Sequence, residues 1–359
     1  MRINIKVDGE CSMENVHDKN EVRCERCGSL AVEEGYDMQL CCECRKELSR
    51  RPIPKSIIIS FIGIIGILVL SLIMSTKDID LAKSGNKLED TLNNKNYISA
   101  IKGYEALHNE YPGNDSYSIK LLELYYNADH IDDAFKLYQS LAGMRLEKSL
   151  ADRANRVLDN IEKYYSYNKD SHDEVSKLVN EENSGEKILD FINNYVLTNG
   201  ISSDYYASSI FIDSLICKEN YEEALKYCNE LISQNNEEFN YIYYQLGIVS
   251  VALGNEEKAN EVINYLLSKN NESFYARIIE SRLELKRKDY KKAFELAEEA
   301  YNLDPKNDRV CINLSIANHY NGDDEEAKVF LNELYDDSNV SLDEIEWLDN
   351  VIAGKIILD

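Results

Sequence analysis

The chain has 359 residues and a formal charge of −25, from 40 Lys plus Arg against 65 Asp plus Glu. Residues 1–55 are near neutral, with 10 basic and 11 acidic residues, so the excess negative charge lies beyond them. A surface that acidic repels phosphate backbones and anionic lipid, which argues against nucleic-acid binding by the larger part.

Residues 1–50 read as a small module. Six of the nine cysteines fall here, at 11, 24, 27, 41, 42 and 44. Such clustering is unlike a disulfide framework and points to a metal site. In frame, the pattern is C24-E-R-C27, thirteen residues that open with Gly28, then C41-C-E-C44. Each CxxC turn holds two thiolates on one side of a tight loop, and two turns supply four ligands to a tetrahedral Zn²⁺. Gly28 lets the chain fold back over the first knuckle, and the stretch between the pairs, with a polar EEGYD at its centre, suits a short hairpin. Over residues 22–46 the pattern resembles a zinc ribbon. The resemblance implies a structural zinc ligated by Cys24, Cys27, Cys41 and Cys44, in a closed site without chemistry of its own. Cys42 departs from the simplest pattern and is open to three readings: a spare thiol, a competing ligand or a lipid-attachment site. Cys11 and His17 are spare ligand candidates. No βαβ pattern surrounds either CxxC, which argues against a thiol–disulfide redox pair.

Residues 51–76 form a basic linker and a predicted transmembrane helix. The stretch 56–74, SIIISFIGIIGILVLSLIM, has 19 residues and no charge. At ~1.5 Å per residue it spans roughly 28 Å, close to a ~30 Å hydrocarbon core. Arg45, Lys46, Arg50, Arg51 and Lys55 precede it closely, and Lys77, Lys83 and Lys87 follow it among acids. The positive-inside rule puts the N-terminus in the cytoplasm and residues 77–359 outside. Thiolate ligands need a reducing compartment, which agrees with that orientation.

Beyond the span the chain repeats. Small residues recur at Ala100, Ala134, Ala224, Ala259, Ala293 and Ala327, in steps of 34, 90, 35, 34 and 34. In YYQLGIVSVALGNEEKA, Gly247 precedes Ala259 by twelve residues, with a turn glycine at Gly254; Gly322 marks the same turn in the last unit, and Pro112 and Pro305 close two units. This period and pattern resemble tetratricopeptide (TPR) repeats. The resemblance implies an all-α, TPR-like helical solenoid of helix–turn–helix units, with repeats over 77–141 and 201–340. Residues 142–200 are out of register and are expected to be an irregular helical insert or a degenerate repeat, with GEKILDFINNYV as its second helix. Residues 341–359 are expected to hold a C-terminal capping helix opened by a Ser341–Glu344 capping box.

Solenoids of this kind bind peptides or proteins in a concave groove. By register, Tyr206, Tyr241, Tyr244, Tyr275, Arg282 and Arg309 are the groove candidates, since tyrosine and arginine suit binding surfaces. Cys228 and Cys311 fall on positions that pack inside, and Cys217 lies late in a first helix. No HExxH, phosphate loop or GxSxG motif is present, and the five histidines form no close pair. The sequence therefore reads as a non-enzymatic, single-pass membrane protein that scaffolds protein or peptide partners, with no small-molecule substrate. The alternative is a transmembrane regulator resembling anti-sigma factors, whose zinc module captures a cytoplasmic regulatory protein. Their H-x3-C-x2-C motif is not matched, because the nearest arrangement is His17-x6-Cys24-x2-Cys27.

Overall fold

The computed structural model describes residues 22–49, 63–65, 88–179, 184–234, 239–336 and 342–358. It divides into two compact units, Met1–Leu81 and Ala82–Asp359. The predicted span 56–74 lies outside the described residues except for 63–65, which are helical. Among the described residues no helix is long and apolar enough to cross a membrane. Cys11 and His17 also lie outside them.

In the first unit the expected hairpin does not form strands. Between the cysteine pairs the chain runs through bends, with one isolated antiparallel bridge between Val32 and Cys41. The second pair opens a helix, α1 (Cys42–Ser49). CECRKELS carries no turn residue after Cys42, so the helix starts directly at the second knuckle, and a β ribbon has no second strand to build on. Gly28 and Gly35 take φ of 76° and 91°, which turns the chain at the first knuckle and at the tip of EEGYD.

The second unit is built of antiparallel helix pairs. The pairs are α2 (Tyr97–Glu110), preceded by a helical stretch over 88–93; α3 (Asp115–Asn127) with α4 (Ile131–Leu141); and, after the irregular region, α8 (Tyr205–Cys217) with α9 (Tyr221–Ser233), α10 (Asn240–Ala252) with α11 (Glu256–Lys269), α12 (Phe274–Lys286) with α13 (Tyr290–Leu303), and α14 (Asp308–Asn321) with α15 (Asp324–Asp336). A last helix, α16, runs Leu342–Ile352. Short polar side chains start many of these helices: Asn114, Asp204, Asn255, Ser273, Asp289 and Asn307 each accept a backbone N–H of the first turn.

One backbone conformation recurs with the period. Lys95, Asp129, Glu219, Gly254, Lys288 and Gly322 all have positive φ, between 55° and 95°, and each stands five residues before one of the repeating alanines. Only two of the six are glycine, so the helix–turn–helix geometry imposes the left-handed turn even where the sequence does not favour it. All six alanines are fully buried. Ser281 and Ser315 pack on the second helix of their own pair, donating to the carbonyls of Ala293 and Ala327 at 2.8 and 2.7 Å. Gly247 opens a different contact, because a Cβ there would lie 2.3 Å from Ile279 Cδ1 on the next inner helix.

Residues 142–200 hold three helices, α5 (Lys148–Tyr165), α6 (Lys169–Leu178) and α7 (Ser184–Asn199). α5 packs between α3 and α8 as an inner helix, and α7, which contains GEKILDFINNYV, packs on α8. The long α5 and the extra α6 account for the 90-residue step. Asn168 ties this region to α8: its backbone N–H donates to Asp204 at 2.8 Å and its amide donates to the Ser203 carbonyl at 2.9 Å.

The array curls until its first turns meet later ones. Asn271 donates to the Lys95 carbonyl at 3.0 Å, the Ser99 N–H donates to Glu272 at 2.8 Å, and Asn240 donates to Asp129 at 3.0 Å. Leu303 packs into the core formed by α2 and α3.

Candidate metal cluster and concave face

The sulfur atoms of Cys24, Cys27, Cys41 and Cys44 all lie within 4.8 Å of one another. Cys27 Sγ and Cys41 Sγ are 3.5 Å apart. A tetrahedral zinc with ~2.3 Å bonds to sulfur requires sulfur separations of roughly 3.8 Å, so the four thiols fit that ion. Cys24, Cys41 and Cys44 are buried, against Leu40 and Val32. The backbone N–H of Cys41 holds the Cys24 thiol down to about 6 against the effect of burial. The Cys44 thiol is pushed up to about 12, first by its contacts with the Cys27 and Cys41 thiols and then by burial. One thiolate is favoured and a second opposed, so holding all four ionised requires a cation between them. Cys42 stands outside the cluster, on the half-buried flank of α1.

Sequence reading assigned Arg45 only to the basic flank of the span and missed its local role. It donates to Glu33 at 2.6 Å and to the Met38 carbonyl at 2.9 Å, and its guanidinium lies 3.7 Å from the centre of the Tyr36 ring. One side chain thus fastens the intervening loop to the helix that carries Cys44.

In the repeat unit the inner helices are α3, α5, α8, α10, α12 and α14, each touching the next. Tyr206, Tyr241, Tyr275 and Arg309 occupy equivalent positions on α8, α10, α12 and α14. Three of them converge. Tyr241, Tyr244 and Tyr275 lie ring to ring at 4.9 to 5.9 Å, and Arg309 sits 5.5 Å from the Tyr241 ring centre. Burial raises the pKa of all three phenols. Tyr206 goes elsewhere, packing edge-on against Tyr167 at 4.8 Å.

At the centre of this convergence is Asp213 on α8, which the sequence reading did not single out. It accepts from Tyr241 at 2.6 Å, Gln245 at 2.7 Å and Arg309 at 3.1 Å. Burial opposes the Arg309 charge, but Asp213, with Tyr241 and Tyr244 next, outweighs it and holds the guanidinium ionised. Asp213 stands at the repeat position that Arg282 occupies on α12, and a charge at that inner-helix position is the signal that would have singled it out.

α16 lies against α15, α14 and α8. Glu344, expected to face back to Ser341, is buried and pairs with Arg309, while Ser341 lies outside the described residues. Arg282 lies 5.8 Å from the Trp347 ring centre. Tyr241, Tyr244, Tyr275 and Arg309 thus meet between the inner helices, with Tyr244 and Tyr275 buried in the core, and α16 packs beside them. Cys217, Cys228 and Cys311 form no disulfide among the described residues; Cys228 and Cys311 are buried in the repeat core.

Residues 284–338, which take in α13, α14 and α15, match the tetratricopeptide repeat family. No curated protein matches the chain. Solved structures similar to it include a tetratricopeptide repeat protein from Parabacteroides merdae, at 14% identity over 76% of this chain and 98% of that one, with a TM-score of 0.35. YrrB, described as a TPR protein with an unusual peptide-binding site, is 15% identical over 72% of this chain and 100% of its own, with a TM-score of 0.25. Yeast Tom70 is 10% identical over 76% and 88%, with a TM-score of 0.21.

Proposed function

We propose that the chain is a non-enzymatic, membrane-anchored scaffold whose TPR-like solenoid takes a protein or peptide partner on its concave face, and whose N-terminal module carries a structural Zn²⁺. The observation that carries the first part is the convergence of Tyr241, Tyr244, Tyr275 and Arg309 from successive inner helices onto one face. Rigid aromatic area beside a guanidinium is the composition of a binding hot spot. The zinc reading is supported by four thiols at tetrahedral spacing. Residues 56–74 serve as the anchor, and the basic flank before them favours a cytoplasmic N-terminal module with the repeats outside.

The test is photocrosslinking of the full chain in its own membrane. A photoreactive group at Lys218, which caps the end of an inner helix, should give reproducible protein adducts, and the same group at Lys226, on the outer helix α9, should not. Equal adducts, or none, would remove the concave-face reading. Metal content of the purified full chain should be near one zinc per chain. Single cysteines labelled with an impermeant maleimide on intact cells should react beyond residue 77 and stay unlabelled before residue 50.

A further inference from the structure

α16, with the sequence LDEIEWLDNVI, carries four carboxylates and no basic residue. It is amphipathic. Ile345, Leu348, Val351 and Ile352 are buried in one cluster with Leu285, Ile312, Leu314 and Ile316. Three inner helices present a cation to it. Lys218, which caps the end of α8, lies 3.6 Å from Asp343, Arg309 of α14 pairs with Glu344, and Arg282 of α12 faces Trp347. In a chain this acidic, three cations converging on one acidic helix from separate repeats is a charge-complementary seat.

The fit is incomplete. Among the described residues, Arg282 Nε and Trp347 Nε1, which face each other at this contact, have no hydrogen-bond partner. Arg282 makes no ion pair among the described residues, and the titratable groups around it are the neutral phenols of Tyr244, Tyr221 and Tyr320. A guanidinium nitrogen and an indole N–H buried without acceptors are costly. α16 satisfies the seat at Lys218 and Arg309 and leaves Arg282 Nε and its own Trp347 Nε1 without an acceptor.

We propose that the concave face is a receptor for an acidic amphipathic helix of a partner protein, and that α16 is an intramolecular occupant which such a helix displaces. This rests on the reading of the concave face as a protein-binding surface. A partner helix that offers a carboxylate to Arg282 makes the bond α16 leaves unmade, which is what allows it to compete with a segment held at high effective concentration.

The test uses the full chain in detergent and, as probe, a fluorescent peptide of residues 341–352. Leu348→Asp, at a fully buried contact of α16, should free that helix. Hydrogen exchange should then rise over 342–352 while α8 to α15 stay protected. The peptide should bind L348D at least tenfold more tightly than the unaltered chain, and a peptide with its acids replaced by their amides should bind at least tenfold more weakly. If L348D unfolds the array, Asp343→Asn with Glu344→Gln replaces it and must still gain threefold. Equal binding of the acidic and amide peptides, or equal binding to the altered and unaltered chains, overturns the proposal. Crosslinks from Lys218 that persist after such a failure leave the scaffold reading standing without α16 as stand-in; loss of both removes both.

Discussion

Arg309 on α14 donates to Asp213 on α8 at 3.1 Å, joining inner helices 96 residues apart. The same guanidinium holds Glu344 of α16. One cation therefore serves two carboxylates whose side chains are only 12% and 10% exposed. Removing one partner of a buried pair costs about 3–5 kcal/mol because the other charge is left unpaired. With partial exposure, Arg309→Met is expected to cost about 2–3 kcal/mol in urea unfolding of the full chain. Arg309→Lys, which keeps the charge but not the fork, is expected to lose about 1 kcal/mol.

The recurring left-handed turn gives a second expectation. Glu219 and Lys288 adopt φ of 57° and 63°, the conformation Gly254 and Gly322 supply without a Cβ. A side chain in that region costs about 1–2 kcal/mol, and the extra unfolded-state entropy of glycine returns part of it. Glu219→Gly and Lys288→Gly are each expected to stabilise by about 0.5–1 kcal/mol, and to add, since the turns share no partner. Thermal unfolding checks this: both substitutions should raise the midpoint, against the usual penalty for introducing glycine.

These turns show what was legible. The 34-residue alanine period gave the register of every regular pair, because each alanine sits where two helices approach too closely for a larger side chain. The conformation followed the period and not the residue type, so Gly254 and Gly322 were visible and Lys95, Asp129, Glu219 and Lys288 were not. The interior of the array was less legible. Tyr241, Tyr275 and Arg309 were found by register, yet Asp213 and Glu344 bind them from far along the chain, and that contact depends on how tightly the helices curl. In the first module, the spacing of Cys24, Cys27, Cys41 and Cys44 carried the cluster; the helix after Cys41 and the Arg45 clamp depend on contacts that spacing does not encode.

Asp129 is buried at the seam where early and late turns meet, and burial lifts its carboxyl to about 7 despite the hydrogen bond from Asn240. Tyr165 and Tyr275 are the other titratable groups coupled to it. A raised carboxyl pKa means the folded chain keeps a proton that the unfolded chain releases above about 3.9. Stability from this site is therefore present below pH 4, falls as pH rises towards 7, and is flat beyond. Asp129→Asn removes the titration, suits a residue with φ of 64°, and keeps one oxygen to accept from Asn240 Nδ2. The variant is expected to be about 2–3 kcal/mol more stable than the parent at pH 8 and close to it at pH 4. A constant difference across that range would refute the assignment.

The four-thiol cluster predicts which cysteines matter to the metal. Cys24→Ser and Cys44→Ser each remove a ligand and should abolish retention of zinc, whereas Cys42→Ser should retain it, since Cys42 stands outside the cluster. Chelation should raise hydrogen exchange across residues 22–49, because a core of Cys24, Leu40, Cys41, Cys44 and Val32 is too small to hold the module without the ion. Acid should do the same as the thiolates protonate. Arg45→Ala leaves every ligand in place but frees the loop from Glu33 to Met38, so zinc should still bind and should exchange faster. Metal content and the rate of transfer to a colorimetric chelator separate these outcomes. Loss of zinc in C42S, or its retention in C24S, would show that the ligand set is not the four that the spacing and the cluster select.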